Sequence, residues 1–294
     1  SFSIPGIRGG CWCRLYSEIR DGDMFASENS LLKAVILATG RELLTGRVRD
    51  TNSGWLCEGL FGLGVRVIRV VTVDDDPVDM TREFSRAVQD GADVIITTGG
   101  LGPTPDDMTI RCIAAAAGVP VARSDMAFGL ISGRYADLVN CGRLADPSIN
   151  EDRAHMADMP LGATVMPNRV GTAPGADFVV GGVRVFCLPG PPPEMTAMAC
   201  ESVLPQIARM VHGTLARLTI ELPVFDESHV ASLIRGLLGG HPDVHFKPEP
   251  GVFDGRRVMR VHLETAADCH ESAALRLEKA AAALRKAADP SWKA

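Results

Sequence analysis

Short apolar runs rich in β-branched residues alternate with longer amphipathic segments through most of the chain. Such runs are typical of buried strands, and such segments are typical of helices that cover a sheet. Their alternation predicts a three-layer α/β/α domain with a mostly parallel sheet, since parallel strands need crossover connections. The predicted strands are 33–38, 65–73, 93–98 and 164–166, the predicted helices are 51–63, 77–89, 107–117, 124–139, 150–157 and 192–211, and a hairpin of strands 178–180 and 183–188 turns at Gly181-Gly182.

The pattern changes at about residue 214. Strand 215–222, helix 227–237, strands 244–247 and 257–264 and helix 270–287 follow, an order that predicts a small α+β domain. We therefore expect an irregular N-terminal extension over 1–31, the α/β domain over 32–213 and the small βαββα domain over 214–290. Because the extension lacks periodicity and begins with Ser, we expect the natural start at Met24.

The net charge of −6 and the isoelectric point near 5.7 argue against a general nucleic-acid or anionic-membrane binder. Gly236-Leu237-Leu238-Gly239 is like the G-x-x-G string of RNA-binding KH modules, but the flanks lack a basic cluster, which favours a helix C-cap. No apolar run approaches membrane-spanning length. The eight cysteines include no C-x-x-C pair, so we expect reduced, mostly buried thiols in a cytoplasmic protein.

The segment from Thr97 to Thr109, TTGGLGPTPDDMT, is a glycine-rich loop between a predicted strand end and a predicted helix start. In an open α/β sheet this is where ligands bind. Glycine amides and a helix N-terminus favour phosphate, and the adjacent Asp106 and Asp107 would repel phosphate unless a cation bridged them. The loop therefore indicates a metal and a phosphate. The alternative is that Asp106 or Asp107 is an N-cap and that the glycines only form a tight turn.

Other polar loops also follow predicted strands. Glu42 follows the first strand within GRELLTG, ahead of Thr51-Asn52, and could supply a third carboxylate or be a solvated turn residue. Three consecutive aspartates, 74–76, close the second strand, where one could face the ligand or all could serve the helix dipole. The loops NRVGTAPG (168–175) and LPGPPPEM (188–195) contain further turn, hydroxyl and acidic residues, which helix capping and rigid turns would also explain.

Taken together, these loops resemble the CinA-like family of competence/damage-inducible proteins, which shares a fold with molybdopterin-binding MoaB/Mog proteins. The matching strings are 40–44, 51–52, 98–109, 171–175 and 189–195, so the resemblance covers residues 33 to about 211, and the last domain looks like that of short stand-alone members. Long members carry an additional nicotinamide-mononucleotide deamidase domain, for which this chain has no room after residue 290, so we do not expect that activity.

The resemblance implies metal-dependent hydrolysis of the pyrophosphate of ADP-ribose or a related dinucleotide. It implies catalytic roles for Asp107 and Asp75 and a divalent metal (Mg²⁺, Mn²⁺ or Co²⁺) held among Asp75, Asp106, Asp107 and Glu194. The family's usual Val-Gly-Asp reads Val73-Asp74-Asp75 here, a departure at the second strand end. The implied substrate-binding residues are Glu42, Thr51, Asn52, Thr98, Gly99, Gly100, Leu101, Gly102, Pro103, Thr104, Thr109, Gly171, Thr172, Pro174 and Gly190.

Two rival functions remain open at this point. The chain could be a molybdopterin-binding or adenylyl-transferring protein, because the same loop serves a pterin phosphate in that superfamily, or a nucleotide-binding protein without turnover. In every case we expect a phosphorylated small-molecule partner and neither nucleic acid nor membrane. A homodimer is expected only because an α/β domain with a small appended domain commonly dimerises.

Overall fold

The computed structural model describes residues 31–224, 226–253 and 256–288. They form two compact units, the first comprising Leu32–Leu60 and Arg66–Met210, and the second comprising Leu31, Phe61–Val65 and the chain from Val211 onward. Apart from Leu31, the extension expected over 1–31 and the start expected at Met24 lie outside the described residues.

The first unit is built on a six-stranded sheet in which five strands run in one direction and one runs in the opposite direction. The strands are β1 (Lys33–Thr39), β2 (Arg66–Val73), β3 (Val94–Thr98), β6 (Thr164–Met166), β7 (Gly175–Val180) and β8 (Val183–Leu188). Their order is β2-β1-β3-β8-β7-β6, with β7 antiparallel to both of its neighbours, β8 and β6. The α/β class with a mostly parallel sheet is therefore confirmed.

Helices cover both faces of this sheet. They are α1 (Arg41–Leu44), α2 (Asn52–Gly62), α3 (Pro77–Gln89), α4 (Thr109–Ala116), α5 (Asp125–Asn140), α6 (Glu151–Ala154), α7 (Pro192–Met198) and α8 (Leu204–Ala208). Leu37 and Ile95 pack in one core with Ile113 of α4 and Ile131 of α5. The neighbouring Ile36 points to the opposite face and is also fully buried. Burial on both faces explains why the central strands are continuous apolar runs.

The expected hairpin is present between β7 and β8. Gly181 and Gly182 have φ angles of +58° and +84°, the left-handed backbone that a two-residue type I′ turn requires. Because both turn residues need a positive φ angle, the pair Gly181-Gly182 was a clear indication of the hairpin in the sequence. The turn also sets the register of β7 against β8, the strand whose Leu188 pairs with Thr98 at the end of β3.

The prediction of a single helix over 192–211 is wrong, because the helix is interrupted in its middle. Helix α7 ends at Met198, a π-helical segment occupies Ala199–Val203, and α8 begins at Leu204. Pro205 explains the interruption, because it has no N–H to donate to the turn before it and its ring clashes with the carbonyl four residues earlier. The helix predicted over 150–157 is α6 followed by a 3-10 turn over His155–Ala157.

Two short strands were not predicted from the sequence. They are β4 (Val121–Arg123) and β5 (Asp158–Pro160), which pair antiparallel outside the main sheet. Three residues are too few for a periodic signal. The pair is held by ion pairs in which Asp158, with 13% of its side chain exposed, contacts Arg123 at 3.0 Å and Arg111 at 2.5 Å.

The second unit has the expected βαββα order. It consists of β9 (Thr214–Leu222), α9 (Glu227–Leu237), β10 (Val244–Phe253), β11 (Arg256–Ala267) and α10 (His270–Ala288), with the antiparallel strand order β10-β11-β9. Strand β10 continues six residues beyond the predicted end at Lys247, through Pro248 and Pro250. Prolines are tolerated there because β10 is an edge strand.

The cysteines of the described residues are free thiols. The expectation that most of them are buried is wrong for these residues: Cys112 and Cys187 are buried, whereas Cys57 and Cys200 are partly buried and Cys141 and Cys269 are exposed. Burial raises the pKa of Cys187 to about 12. The exposed Cys269 precedes α10, and its sulfur lies 3.3 Å from the Ser272 hydroxyl. Within the ranges that the structure describes, none of the helices combines the length and apolarity needed to cross a bilayer.

Candidate functional site

An open cleft of about 510 Å³ lies at the carboxyl ends of β1, β3 and β8. It brings together fifteen residues that the sequence analysis singled out, namely Glu42, Thr51, Asn52, Asp75, Thr98, Gly99, Gly100, Leu101, Gly102, Pro103, Asp106, Asp107, Thr172, Gly190 and Glu194. Loops that are far apart in sequence meet here because the ends of parallel strands share one edge of the sheet. Four other predicted residues, Thr104, Thr109, Gly171 and Pro174, do not line it.

The glycine loop passes very close to the end of β1. Gly99 has a φ angle of +108°, and a Cβ there would overlap the Thr39 carbonyl oxygen and lie 2.7 Å from the Thr39 hydroxyl. Gly100 has a φ angle of +66°, and a Cβ there would overlap the hydroxyl of the fully buried Thr109. The N–H of Thr109 donates to Gly100 O at 3.1 Å. Thr109 therefore supports the loop from behind, and only glycine fits at 99 and 100.

Thr104 and Asp107 close the far end of the loop. The backbone N–H of Thr104 donates to Asp107 Oδ2 at 2.9 Å, and the Thr104 hydroxyl lies 2.6 Å from the same oxygen and 2.5 Å from Asp106 Oδ1. The Thr104 hydroxyl lowers the pKa of Asp106. Helix α4 begins at Thr109, after Met108 as its N-cap, so neither aspartate has the capping role that the alternative interpretation gave it.

The three aspartates after β2 have separate contacts. Asp76 caps α3 by accepting from the N–H groups of Val78 and Asp79. Asp74 binds the Arg41 guanidinium, with Nη2 to Oδ2 at 3.0 Å. Of the three, Asp75 lines the cleft, where its Oδ2 accepts from the Arg41 backbone N–H at 3.0 Å.

The pKa of Asp75 is raised. Partial burial is the largest cause, and repulsion by the carboxylates of Glu42, Asp106 and Asp74 adds to it. Three carboxylates therefore act on Asp75, of which Glu42 and Asp106 also line the cleft. A cation placed among them would relieve that repulsion.

Asn52 joins three loops at the floor of the cleft. Its Nδ2 donates to Thr98 Oγ1 and to Gly190 O, both at 2.8 Å, and Thr98 Oγ1 donates to Pro189 O at 3.1 Å. Asn52 is 8% exposed. This network fixes the ends of β3 and β8 relative to the start of α2.

Glu194 contacts the loop before β7. Its Oε2 accepts from Asn168 Nδ2 at 2.7 Å, and Asn168 Oδ1 accepts from the Gly171 N–H at 2.7 Å. A Cβ on Gly171 would overlap the Glu194 carboxylate. The same loop is held by Arg134 of α5, whose Nε donates to Gly171 O at 2.9 Å. Gly171 thus leaves room for the Glu194 carboxylate, although it does not line the cleft itself.

The carboxylates do not form a complete metal cage. Among the described residues, no group of three His, Cys, Asp or Glu side chains converges closely enough to hold an ion unaided. Mg²⁺ commonly binds through one or two carboxylates, several waters and substrate phosphates. Asp75 and Asp106, which repel each other across the cleft lining, fit that mode with phosphate completing the set.

Two arginines near this site, Arg41 and Arg49, were not among the residues predicted from the sequence. Arg41 opens α1 and neutralises Asp74, and Arg49 lines the cleft as its one cationic side chain among the described residues. Both lie in segments without strand or helix periodicity, so no pattern assigned them. A count of charges around the Thr51-Asn52 string would have drawn attention to Arg49.

The sheet and the cleft define an α/β protein that presents a glycine loop and carboxylates at its strand ends. Residues 35–209 match the domain family described as "Probable molybdopterin binding domain", and the chain belongs to that family. A structure titled "The crystal structure of the protein CinA with unknown function from Thermoplasma acidophilum" is similar, with a TM-score of 0.52, 32% identity and coverage of 57% of this chain and 94% of that one.

Relatives confirm the CinA-like resemblance. A "CinA-like protein" of Anaeromyxobacter dehalogenans (strain 2CP-C) is 38% identical over 244 residues, which cover 78% of this chain. The aligned part spans only 58% of that relative's length. "Protein PAE0875" of Pyrobaculum aerophilum is 36% identical over 249 residues, covering 84% of this chain and 91% of that protein.

Proposed function

We propose that this chain hydrolyses the pyrophosphate bond of ADP-ribose or a related dinucleotide in a reaction that depends on a divalent cation. One observation carries the proposal: a glycine loop at a strand end and six carboxylates line the same cleft. These carboxylates would repel a diphosphate in the absence of a cation. With a cation present, the same carboxylates would hold the cation that the diphosphate contacts. The choice of a dinucleotide comes from the activity that the CinA-like resemblance implies.

The roles follow from the placement of the residues. Amides of the glycine loop, backed by Thr109 and the start of α4, would bind phosphoryl oxygens. Asp75 and Asp106 would hold Mg²⁺, Mn²⁺ or Co²⁺, with Asp107 and Glu194 at the same lining. A bound cation would neutralise charge on the diphosphate and lower the pKa of an attacking water.

Asp107 has a second role within the loop. Because its Oδ2 accepts from both the N–H and the hydroxyl of Thr104, it fixes the loop's shape. Asn at this position could still accept these bonds with its amide oxygen. Asp107→Asn therefore removes the charge with little effect on the loop, and it is a sharper test than alanine.

The experiment measures AMP release from ADP-ribose, NAD and FAD with Mg²⁺, Mn²⁺, Co²⁺ or EDTA. We expect metal-dependent AMP release in the parent protein and a loss of about 100-fold or more in Asp75→Asn and Asp107→Asn, as for groups that act in the transition state. Asp137→Asn, an exposed aspartate on α5, is the control and should match the parent. Absence of turnover with every dinucleotide and metal would refute the proposal.

The family description favours one second candidate, molybdopterin binding or adenylyl transfer to it. The same loop amides would then bind the pterin phosphate. Turnover of molybdopterin with MgATP, without AMP release from ADP-ribose, would support this candidate. Binding of nucleotides with no turnover of either kind would leave a non-catalytic binding protein.

A further inference from the structure

The loop between α1 and α2 carries two arginines, Arg47 and Arg49. Both side chains are exposed, but only Arg49 lines the cleft. Its backbone lies between two anchored residues: the Val48 N–H donates to Glu42 O at 3.1 Å, and Asp50 Oδ1 accepts from the Ser53 N–H at 2.9 Å. The position of Arg49 at the cleft wall is therefore set by its neighbours.

Arg49 has no ion-pair or hydrogen-bond partner among the described residues, although six carboxylates line the same cleft. Three of these carboxylates are engaged by other groups. Asp50 caps α2, Asp107 binds Thr104 and Glu194 binds Asn168. Arg41, by contrast, is bound to Asp74 through both Nε and Nη2. The cleft thus keeps one unpaired guanidinium among the residues that the structure describes.

We infer that Arg49 binds a phosphoryl group of the ligand and gives this cleft its preference for phosphorylated over unphosphorylated nucleosides. The inference rests on the proposed function for the choice of a nucleotide. A guanidinium matches two phosphoryl oxygens with a planar pair of donors, and it keeps its charge at every physiological pH. In a cleft lined by carboxylates, this contact offsets part of the repulsion of the anion, and the cation of the proposed function offsets the rest.

Arg49 also complements the glycine loop. The loop lies at the end of β3, whereas Arg49 lies in the connection after β1, so the two approach the cleft from different strand ends. A ligand with two phosphoryl groups can contact both. Arg49 contacts the ligand in this arrangement, but it holds neither the cation nor the attacking water.

The test is a cycle of two proteins and two ligands. Calorimetry measures the affinity of AMP and of adenosine for the parent and for Arg49→Ala, in Mg²⁺ and in EDTA, because these ligands differ only in the phosphoryl group. We expect Arg49→Ala to weaken AMP binding about 10- to 100-fold, the range for a hydrogen bond to a charged group, and to leave adenosine binding unchanged. Arg49→Lys should restore part of the loss, and Arg47→Ala should bind as the parent does.

Three results would overturn the inference. They are a parent protein that binds AMP no better than adenosine, equal losses in Arg47→Ala and Arg49→Ala, and equal losses of AMP and adenosine affinity in Arg49→Ala. Equal losses in Arg47→Ala and Arg49→Ala would indicate that the positive charge of the surface acts on the anion without a specific contact. Equal losses of AMP and adenosine affinity would indicate a structural role for Arg49. If the AMP preference depends on Arg49 but no dinucleotide is hydrolysed, the proposed function fails while this inference stands.

Discussion

Replacing Gly99 by alanine tests whether the close approach of the glycine loop to β1 is built into the fold. The backbone at Gly99 has a φ angle of +108°, which L-residues rarely adopt. The added methyl group would also overlap the Thr39 carbonyl. That carbonyl belongs to the last residue of a paired central strand, so it cannot move aside cheaply.

The magnitude follows from these two terms. Backbone strain of this kind costs about 1–3 kcal/mol, and overpacking against an immobile group adds about 1–3 kcal/mol. We therefore expect Gly99→Ala to lower the free energy of unfolding by about 2–6 kcal/mol. For a unit of this size each kcal/mol corresponds to about 2–4 °C, so the Tm should fall by about 4–24 °C.

Gly91→Ala is the matched control. Gly91 has a φ angle of +75°, but nothing lies within 4 Å of the position that the added methyl group would occupy, so the substitution introduces only strain. Left-handed strain of about 1–2 kcal/mol is partly offset by the lower entropy of the unfolded chain, and the net loss should be about 1 kcal/mol. Differential scanning calorimetry of both variants and the parent compares them. Equal Tm losses in the two variants would refute the reasoning about Thr39.

Three further predictions concern other parts of the molecule. Asp158→Asn should lower the free energy of unfolding at pH 7 by about 1–2 kcal/mol in urea titrations, because it removes the carboxylate that two arginines share. Hydrogen bonding by its neighbour Ser272 lowers the pKa of the Cys269 thiol, so iodoacetamide should modify Cys269 before the exposed Cys141, as peptide mass spectrometry would show. Gly171→Ala should displace the Glu194 carboxylate, leaving the Tm within about 2 °C of the parent but raising the Mg²⁺ concentration needed for half-maximal hydrolysis.

The direction of the pKa shift of Asp158 determines how the stability loss in Asp158→Asn depends on pH. Burial opposes ionisation of Asp158, but the hydrogen bonds from Arg123 and Arg111 outweigh it, so the pKa of Asp158 is lowered in the folded protein. Its contribution is thus present above the pKa of the unfolded chain and is lost as the pH falls through the folded-state pKa. A difference between parent and Asp158→Asn that grew towards acidic pH would contradict this assignment.

The other two predictions have equally direct refutations. Equal alkylation rates at Cys269 and Cys141 would show that the Ser272 contact does not activate the thiol. An unchanged Mg²⁺ requirement in Gly171→Ala would show that Glu194 does not depend on this loop. A Tm loss of many degrees in that variant would show instead that the Glu194 carboxylate cannot move.

The order of the elements followed from local patterns. Helix α3 has the bounds that the sequence predicted, Pro77–Gln89, because proline at its start and the apolar spacing are both local signals. Helix α9 and strand β8 also begin and end where predicted. The apolar spacing continued through 192–211, but Pro205 interrupts the turn that precedes it, so periodicity alone was insufficient there.

The sequence by itself determined which glycines and carboxylates follow the strand ends, since these residues are visible in one dimension. Only the tertiary structure decided which of them contact one another. Asn52 donates hydrogen bonds to Thr98 and Gly190, which are 46 and 138 residues away. The Arg41 guanidinium binds Asp74, one of three adjacent aspartates. Among the described residues, the same fold leaves Arg49 unpaired in the cleft. These choices depend on distances between strand ends, and such distances are set by sheet order, which no local pattern encodes.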